Sequence, residues 1–271
     1  MLKKLFSSFD EAVADIPNGA SIAMDSWAIA ATAQNLIAAI KRKGVKDLTV
    51  ITHCFIPMIF SEDKAVMPSV LLPQMKKLIA PVVGIPHLGG AEFVREYVEK
   101  GLVVEPTSIG TLSSRLYAGA AGLGGIYNPV GIGTLLEKGK EKRTIDGREY
   151  ILEKPIKPDY AFIRGHKADK LGNLVYKGIF RGDQPAMAMA AKFVIAEVDE
   201  IVEVGGIDAE HVITPGIFVD RVVQIPEDGL GTSQKLRELT YELHSIEPAR
   251  KLMFGEVVIK DLAKGRSGHE A

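Results

Sequence analysis

Short apolar runs rich in β-branched residues alternate with segments of helical period along most of this chain, and that alternation restricts the fold. "ASIAM", "DLTVITHCF", "KKLIAPVVG" and "LVVEPTS" read as strands. "ATAQNLIAAIKRKG", "GGAEFVREYVEKG" and "GTLSSRLYAGAAG" read as helices, the first two closed by Gly44 and Gly101. Strands that alternate with helices build βαβ units. The expected fold class is therefore α/β, an open and mostly parallel sheet flanked by helices.

The pattern changes after Gly125. Asp146-Gly147 separates two strand-like runs, a hairpin signal, so residues 126–160 read as a β excursion from the main sheet. "DYAFIRGHKAD" reads as a strand entering a loop at His166, Lys167 and Asp169. "GNLVYKG" is a short strand and "QPAMAMAAKF" a helix with Pro185 in its first turn. "FVIAEVDEIV" and "VDRVVQIPE" return to the sheet, and 231–271 is a C-terminal helical tail. No linker or repeat interrupts the 271 residues, which suit a single domain with a substantial core. The start, "MLKKLFSSFDEAVADIPNGA", opens like a signal peptide. It then acquires Asp10, Glu11 and Asp15, and reads as an N-terminal helix of a cytoplasmic protein, capped over 8–17 by Ser8 with Glu11 three residues on.

Composition narrows the function classes. Lys+Arg number 33 against 34 Asp+Glu, which leaves no electrostatic footprint for nucleic acid or an anionic membrane. No apolar run approaches the ~20 residues that span a bilayer. The single cysteine, Cys54, excludes an intrachain disulfide framework and any CxxC metal site. No histidine pair has metal spacing, so no metal site is expected, and HExxH, GxSxG and P-loop motifs are absent.

Three clusters are candidates for function. The glycines Gly119, Gly122, Gly124, Gly125, Gly131 and Gly133 do not fit a Rossmann fingerprint. They serve either a loop that hugs a ligand or partner, or turns between β segments. His53 and Cys54 close a strand at its carboxyl end, where ligands of open α/β sheets bind. Adjacent strand residues point to opposite faces, so the two make no dyad while the strand persists. A buried cysteine is the commoner outcome at such a position. His166, Lys167 and Asp169 read best as a solvated turn. The chain by itself shows no complete catalytic constellation.

Longer stretches carry a resemblance. "GTLSSRLYAGAAGLGGIYNPVGIGT", "TIDGREYILEKPIKPDYAFIRGHKADKLGNLVYKG" and "MAMAAKFVIAEVDEIVEVGGIDAEHVITPGIFVDRVV" resemble, in this order, segments of the α subunit of family I coenzyme A transferases. This group includes the 3-oxoacid and glutaconate CoA-transferases. The resemblance covers most of residues 8–225. It implies a partner β subunit in an αβ or α2β2 assembly, and coenzyme A or acyl-CoA as substrate with no permanently bound cofactor. It also implies a glutamate nucleophile that lies on β, which would account for the missing constellation here.

The departures from the family pattern are local. The family's first turn is G-G-F-G-x-x-G-x-P; this chain has Asp25, Ser26, Trp27, Ala28, Ala31 and Ala33 there. Its N-N-A-G is replaced by His53-Cys54-Phe55-Ile56, and its P-Q-G-T-L by Ser108-Ile109-Gly110-Thr111-Leu112. All three lie where the resemblance puts the acyl site, which implies a bulkier, more apolar pocket. Asp25, Ser26, Trp27, Cys54, Phe55, Ile56, Ile109 and Gly110 are the expected substrate contacts, and His53 the expected general acid or oxyanion donor. The expected function is CoA transfer between carboxylic acids. Acyl-CoA decarboxylation or hydrolysis, with a partner lacking the glutamate, is the alternative. A non-catalytic chain that binds acyl-CoA is a further one.

Overall fold

The computed structural model describes residues 4–26, 31–56, 66–84, 90–177 and 181–230. The chain runs through β1 (Leu5–Phe6), α1 (Phe9–Ala12), β2 (Ser21–Met24), α2 (Gln34–Lys43), β3 (Leu48–Ile51), β4 (Cys54–Phe55), β5 (Met75–Ala80), β6 (Val82–Val83), α3 (Glu92–Glu99) and β7 (Val103–Pro106). It continues through α4 (Ile109–Ala120), β8 (Ile126–Asn128), β9 (Lys142–Ile145), β10 (Arg148–Glu153), β11 (Tyr160–Asp169), β12 (Leu174–Val175), α5 (Gln184–Ala190), β13 (Phe193–Val202) and β14 (Arg221–Gln224). The main sheet has the order β1-β14-β13-β11-β2-β3-β5-β7, with β12 added antiparallel on β11 and every other pair parallel.

Alternation within the strands builds two cores. Ile22 and Met24 of β2, Leu48 and Val50 of β3, and Tyr160 and Phe162 of β11 face Leu36, Ile37 and Ile40 of α2. The intervening Ala23, Ile51, Ala161 and Ile163 face Leu112 and Leu116 of α4 and Ala186, Met187 and Ala190 of α5. The sheet is thus covered on both faces, as a parallel sheet requires. The second core is rich in alanine, which lets α4 and α5 approach the strands closely. The excursion forms its own antiparallel sheet, β8-β10-β9. Its tight turn is Asp146-Gly147, with φ of 49° and 76°, the pair of positive values that a two-residue hairpin turn demands. The clustered glycines serve turns and close packing. Gly119 lies in α4 against the Ile156 carbonyl, while Gly122, Gly131 and Gly133 take positive φ.

Several elements differ from the sequence reading. The N-terminal helix is a single turn, capped by Ser8 at 3.1 Å, and Leu5–Phe6 is an edge strand parallel to β14. "DLTVITHCF" is broken: β3 ends at Ile51, and Cys54–Phe55 belongs to a two-stranded sheet with β6. "KKLIAPVVG" splits the same way into β5 and β6. The segment at 165–169 is strand, not loop. His166 Nδ1 lies 3.1 Å from Asp199 Oδ2, Lys167 pairs with Glu200 at 2.6 Å, and Asp169 accepts from the Leu171 and Asn173 amides. Charged side chains alternating along parallel β11 and β13 form cross-strand ion pairs, which a loop reading of the sequence does not anticipate. The expected tail at 231–271 lies outside the described residues.

Candidate active site

Chain direction along the sheet reverses between β2 and β11. From β2 the order runs through β3, β5 and β7; the later strands β11, β13 and β14 lie on the other side. Loops leaving the carboxyl ends of strands diverge at such a point and leave a crevice. Asp25 and Ser26 follow β2 directly, and Thr52 and His53 follow β3. These four residues meet because β2 and β3 pair in parallel register, Ala23 opposite Ile51.

Ser26 holds the two loops together. Its Oγ donates to the Cys54 carbonyl at 2.5 Å and accepts from the Cys54 amide at 3.1 Å. It also lies 2.5 Å from Thr52 Oγ1, which must be the donor because the one serine proton is already used.

His53 is the centre of the cluster, its side chain only 6% exposed. Nε2 lies 2.9 Å from Asp183 Oδ2, and the Ser113 hydroxyl of α4 donates to that same oxygen. Nδ1 lies 3.7 Å from Asp25 Oδ1, beyond hydrogen-bond reach, and has no hydrogen-bond partner among the described residues. Burial opposes charge on the ring, but the carboxylates of Asp183 and Asp25 outweigh it and push the pKa up to about 9. Burial would raise the Asp183 carboxyl; hydrogen bonds from His53 and Ser113 hold it below the usual range instead. Both shifts describe one arrangement, an imidazolium against a carboxylate. A buried N–H without an acceptor costs about 1–3 kcal/mol, so Nδ1–H is a donor in wait of one.

Gly182 adjoins the cluster with φ +51°, and a Cβ there would overlap Asp25 Oδ2. Only glycine combines that backbone conformation with that contact.

The residues marked in the sequence meet different fates. Asp25, Ser26, His53 and Cys54 converge. Cys54 is buried, and its thiol is pushed up to about 11, first by burial and then by Asp25, so it is an inert thiol. Phe55 is not a pocket wall. It is fully buried in the core shared with α2 and stacks on Phe93 at 5.9 Å, because the chain has entered β4 by then. Ile56 is partly buried. Ile109 opens α4 with 43% of its surface exposed, and the space around Gly110 is open. Ser113, one turn further along α4, ties this helix to His53 through Asp183. Trp27 lies outside the described residues.

Asp183, Ser113 and Thr52 carry no local signal in the sequence. Asp183 precedes Gln184-Pro185, a helix-start signal, and reads as an ordinary cap. Its contact with His53, 130 residues away, is tertiary. Among the described residues no group of His, Cys, Asp or Glu is arranged to hold a metal ion. The cluster offers a buried cationic donor but no nucleophile with a base. Its serine hydroxyls are committed to Asp183, Thr52 and Cys54.

Comparison with known proteins gives concordant matches. The family profile described as Coenzyme A transferase matches residues 6–224. The chain is 37% identical over 226 residues to the A-type subunit of the 3-oxoadipate CoA-transferase of Pseudomonas putida, covering 83% of this chain and 95% of that protein. It is 38% identical over 235 residues to the A-type subunit of a probable succinyl-CoA:3-ketoacid coenzyme A transferase of Bacillus subtilis, covering 86% and 92%. The glutaconate coenzyme A-transferase structure from Acidaminococcus fermentans superposes with a TM-score of 0.70 at 17% identity, over 94% of each chain. The E. coli O157:H7 acyl-CoA transferase YdiF does so with 0.70 at 23% identity, over 84% of this chain and 48% of that one. At these identities the two structures speak to the fold alone. No helix among the described residues is long and apolar enough to cross a membrane.

Proposed function

Because the chain belongs to the coenzyme A transferase family, we propose that it is the α subunit of a two-component CoA-transferase whose nucleophilic glutamate lies on a partner β subunit. The carrying observation is that the relatives at 37% and 38% identity are named as A-type subunits and are matched over 95% and 92% of their own length. The lack of a nucleophile–base pair in the described cluster fits a division of labour between two chains.

The proposed chemistry splits one acyl transfer into easier covalent steps. The partner's glutamate attacks the acyl-CoA carbonyl and expels CoA thiolate, leaving a mixed anhydride. The thiolate attacks the glutamyl carbonyl, releases the first acid and leaves a glutamyl-CoA thioester. The acceptor carboxylate repeats the two steps in reverse. Negative charge develops on a carbonyl oxygen each time, and a fixed cationic donor in a dry site stabilises it. His53 is the residue here that fits this role. With its pKa raised to about 9 it is charged at neutral pH, which favours an oxyanion donor over a general acid.

The acyl pocket is proposed to be bulkier and more apolar than in the relatives. Ile109 stands where the family has glutamine, Ile56 directly follows β4, and Trp27 is the aromatic residue next to Ser26 in the sequence. Larger or branched acyl groups are then favoured over short 3-oxoacids.

The buried imidazolium also supports a second reading, decarboxylation of an acyl-CoA with stabilisation of the resulting enolate. One experiment separates the two. The assembled complex is incubated with a panel of acyl-CoAs, reduced with borohydride and analysed by mass spectrometry. A modified glutamate on the partner supports transfer. Carbon dioxide release without any adduct overturns transfer in favour of decarboxylation.

A further inference from the structure

We propose that Asp183, itself held by the Ser113 hydroxyl, is a positioning residue that fixes the direction and charge of His53, so that Nδ1–H is presented to an acceptor oxygen of the bound substrate. The inference rests on the proposed transferase function only for the nature of that acceptor. Its other parts stand on geometry within this chain.

Three elements converge on the ring. His53 follows β3, Asp183 sits at the start of α5, and Ser113 lies one turn into α4. Asp183 Oδ2 takes the His53 Nε2–H at 2.9 Å and the Ser113 hydroxyl together. That shared oxygen leaves the ring one orientation. Among the described residues, the charged groups facing the ring are Asp183 on the Nε2 side and Asp25 on the Nδ1 side. Asp25 stands off at 3.7 Å, so among the described residues Nδ1–H is oriented without being hydrogen-bonded. An imidazole anchored through one nitrogen to a carboxylate has a defined donor at the other, and the anchor favours the doubly protonated ring. The arrangement suits a carbonyl oxygen that gains negative charge. It does not suit a neutral amine or a cation.

Asp183 has no nucleophilic part in this scheme. It acts through His53, so its test needs a readout on the ring itself. The chain has six histidines. With 13C-labelled histidine in this chain and an unlabelled partner, the His53 signal in the complex is assigned by its loss in His53→Gln. The expected wild-type titration midpoint lies above pH 8, and Asp183→Asn is expected to move it down by at least one unit. With a turned-over acyl-CoA, the same variant is expected to lower kcat by at least about tenfold while KM stays within about threefold, because the donor strengthens mainly in the transition state. A wild-type midpoint near 6.5, or a midpoint unmoved in Asp183→Asn, overturns the proposal. If Asp183→Asn does not fold, the wild-type titration alone decides. A shifted midpoint with unchanged kcat supports the positioning role but removes His53 from the chemistry, so the two readings fail separately.

Discussion

Burial of His53 between two carboxylates fixes the charge of the site. A folded-state pKa raised to about 9 means that the contribution of His53 to stability is fully present below its unfolded pKa of about 6.5. That contribution is lost as pH rises through 9. We therefore expect wild-type stability in urea to fall between pH 6.5 and 9, and His53→Gln to flatten this slope. In the complex, His53→Gln is expected to lower turnover about a hundredfold through loss of the charged donor. Unchanged turnover would remove the ring from the reaction. Gly182→Ala is expected to displace Asp25 and combine a local strain of about 1–3 kcal/mol with reduced activity. An unchanged melting temperature and rate would show that the contact yields. The sequence reading puts Ser26 against substrate, but its hydroxyl is fully engaged in tying the loop after β2 to the loop after β3.

At the scale of elements, α2 shows how a missing local signal is replaced from afar. Its N-cap, Ala33, has no capping side chain. Glu197 of β13 supplies the acceptors instead, taking the Asn35 and Leu36 amides at 3.0 Å each and the Asn35 side-chain amide at 3.1 Å. Arg164 of β11 lies 3.4 Å from Glu197 and 2.8 Å from Asp199. Its own amide donates to Gln184 at the start of α5. Helices α2 and α5 are thus tied to one buried polar layer. Burial pushes the Glu197 carboxyl up to about 7, against the pull of Arg164 and the two backbone amides. The folded state then holds this proton more tightly than the unfolded chain, so stability declines as pH rises from about 4.3 to 7. Glu197→Gln is expected to remove that decline. Glu197→Ala, which uncaps α2 and strips a buried partner from Arg164, is expected to cost about 3–5 kcal/mol. Urea titrations at pH 5 and pH 7.5 check both. No part of this cap is visible near Ala33 in the sequence.

For the whole molecule, the direction reversal between β2 and β11 brings Asp25, His53 and Asp183 to one end of the sheet. Parallel β2 and β3 deliver their following loops to that end, and antiparallel β12 brings the chain back from the far end of β11 before Asp183, which is how residues 130 positions apart meet there. The chain is expected to show no CoA transfer without its partner, and adding the partner restores it. Transfer by the chain alone would contradict the two-chain reading. At the rim of the site, Ile109→Gln returns the family's polar residue and is expected to raise relative kcat/KM for 3-oxoacids about tenfold. Unaltered acyl preference would place Ile109 outside the pocket.

Periodicity by itself determined the α/β class, the parallel sheet, most of its strands and helices, and the Asp146-Gly147 hairpin. The motif order from Gly110 to Val223 pointed to the family, and the departures at Asp25 and His53 follow two neighbouring strands whose ends meet in one buried cluster. These are local properties, written in side-chain alternation and turn chemistry. Tertiary structure decided the rest. It ended β3 before His53, sent Phe55 into the core rather than the pocket, and continued β11 through His166. It also brought Asp183 and Ser113 to His53, and Glu197 to the end of α2. Each of these depends on which strand lies beside which and on the partners a buried charge finds there. Pairing and burial are set by the packed sheet as a whole, so no window of the sequence carries them.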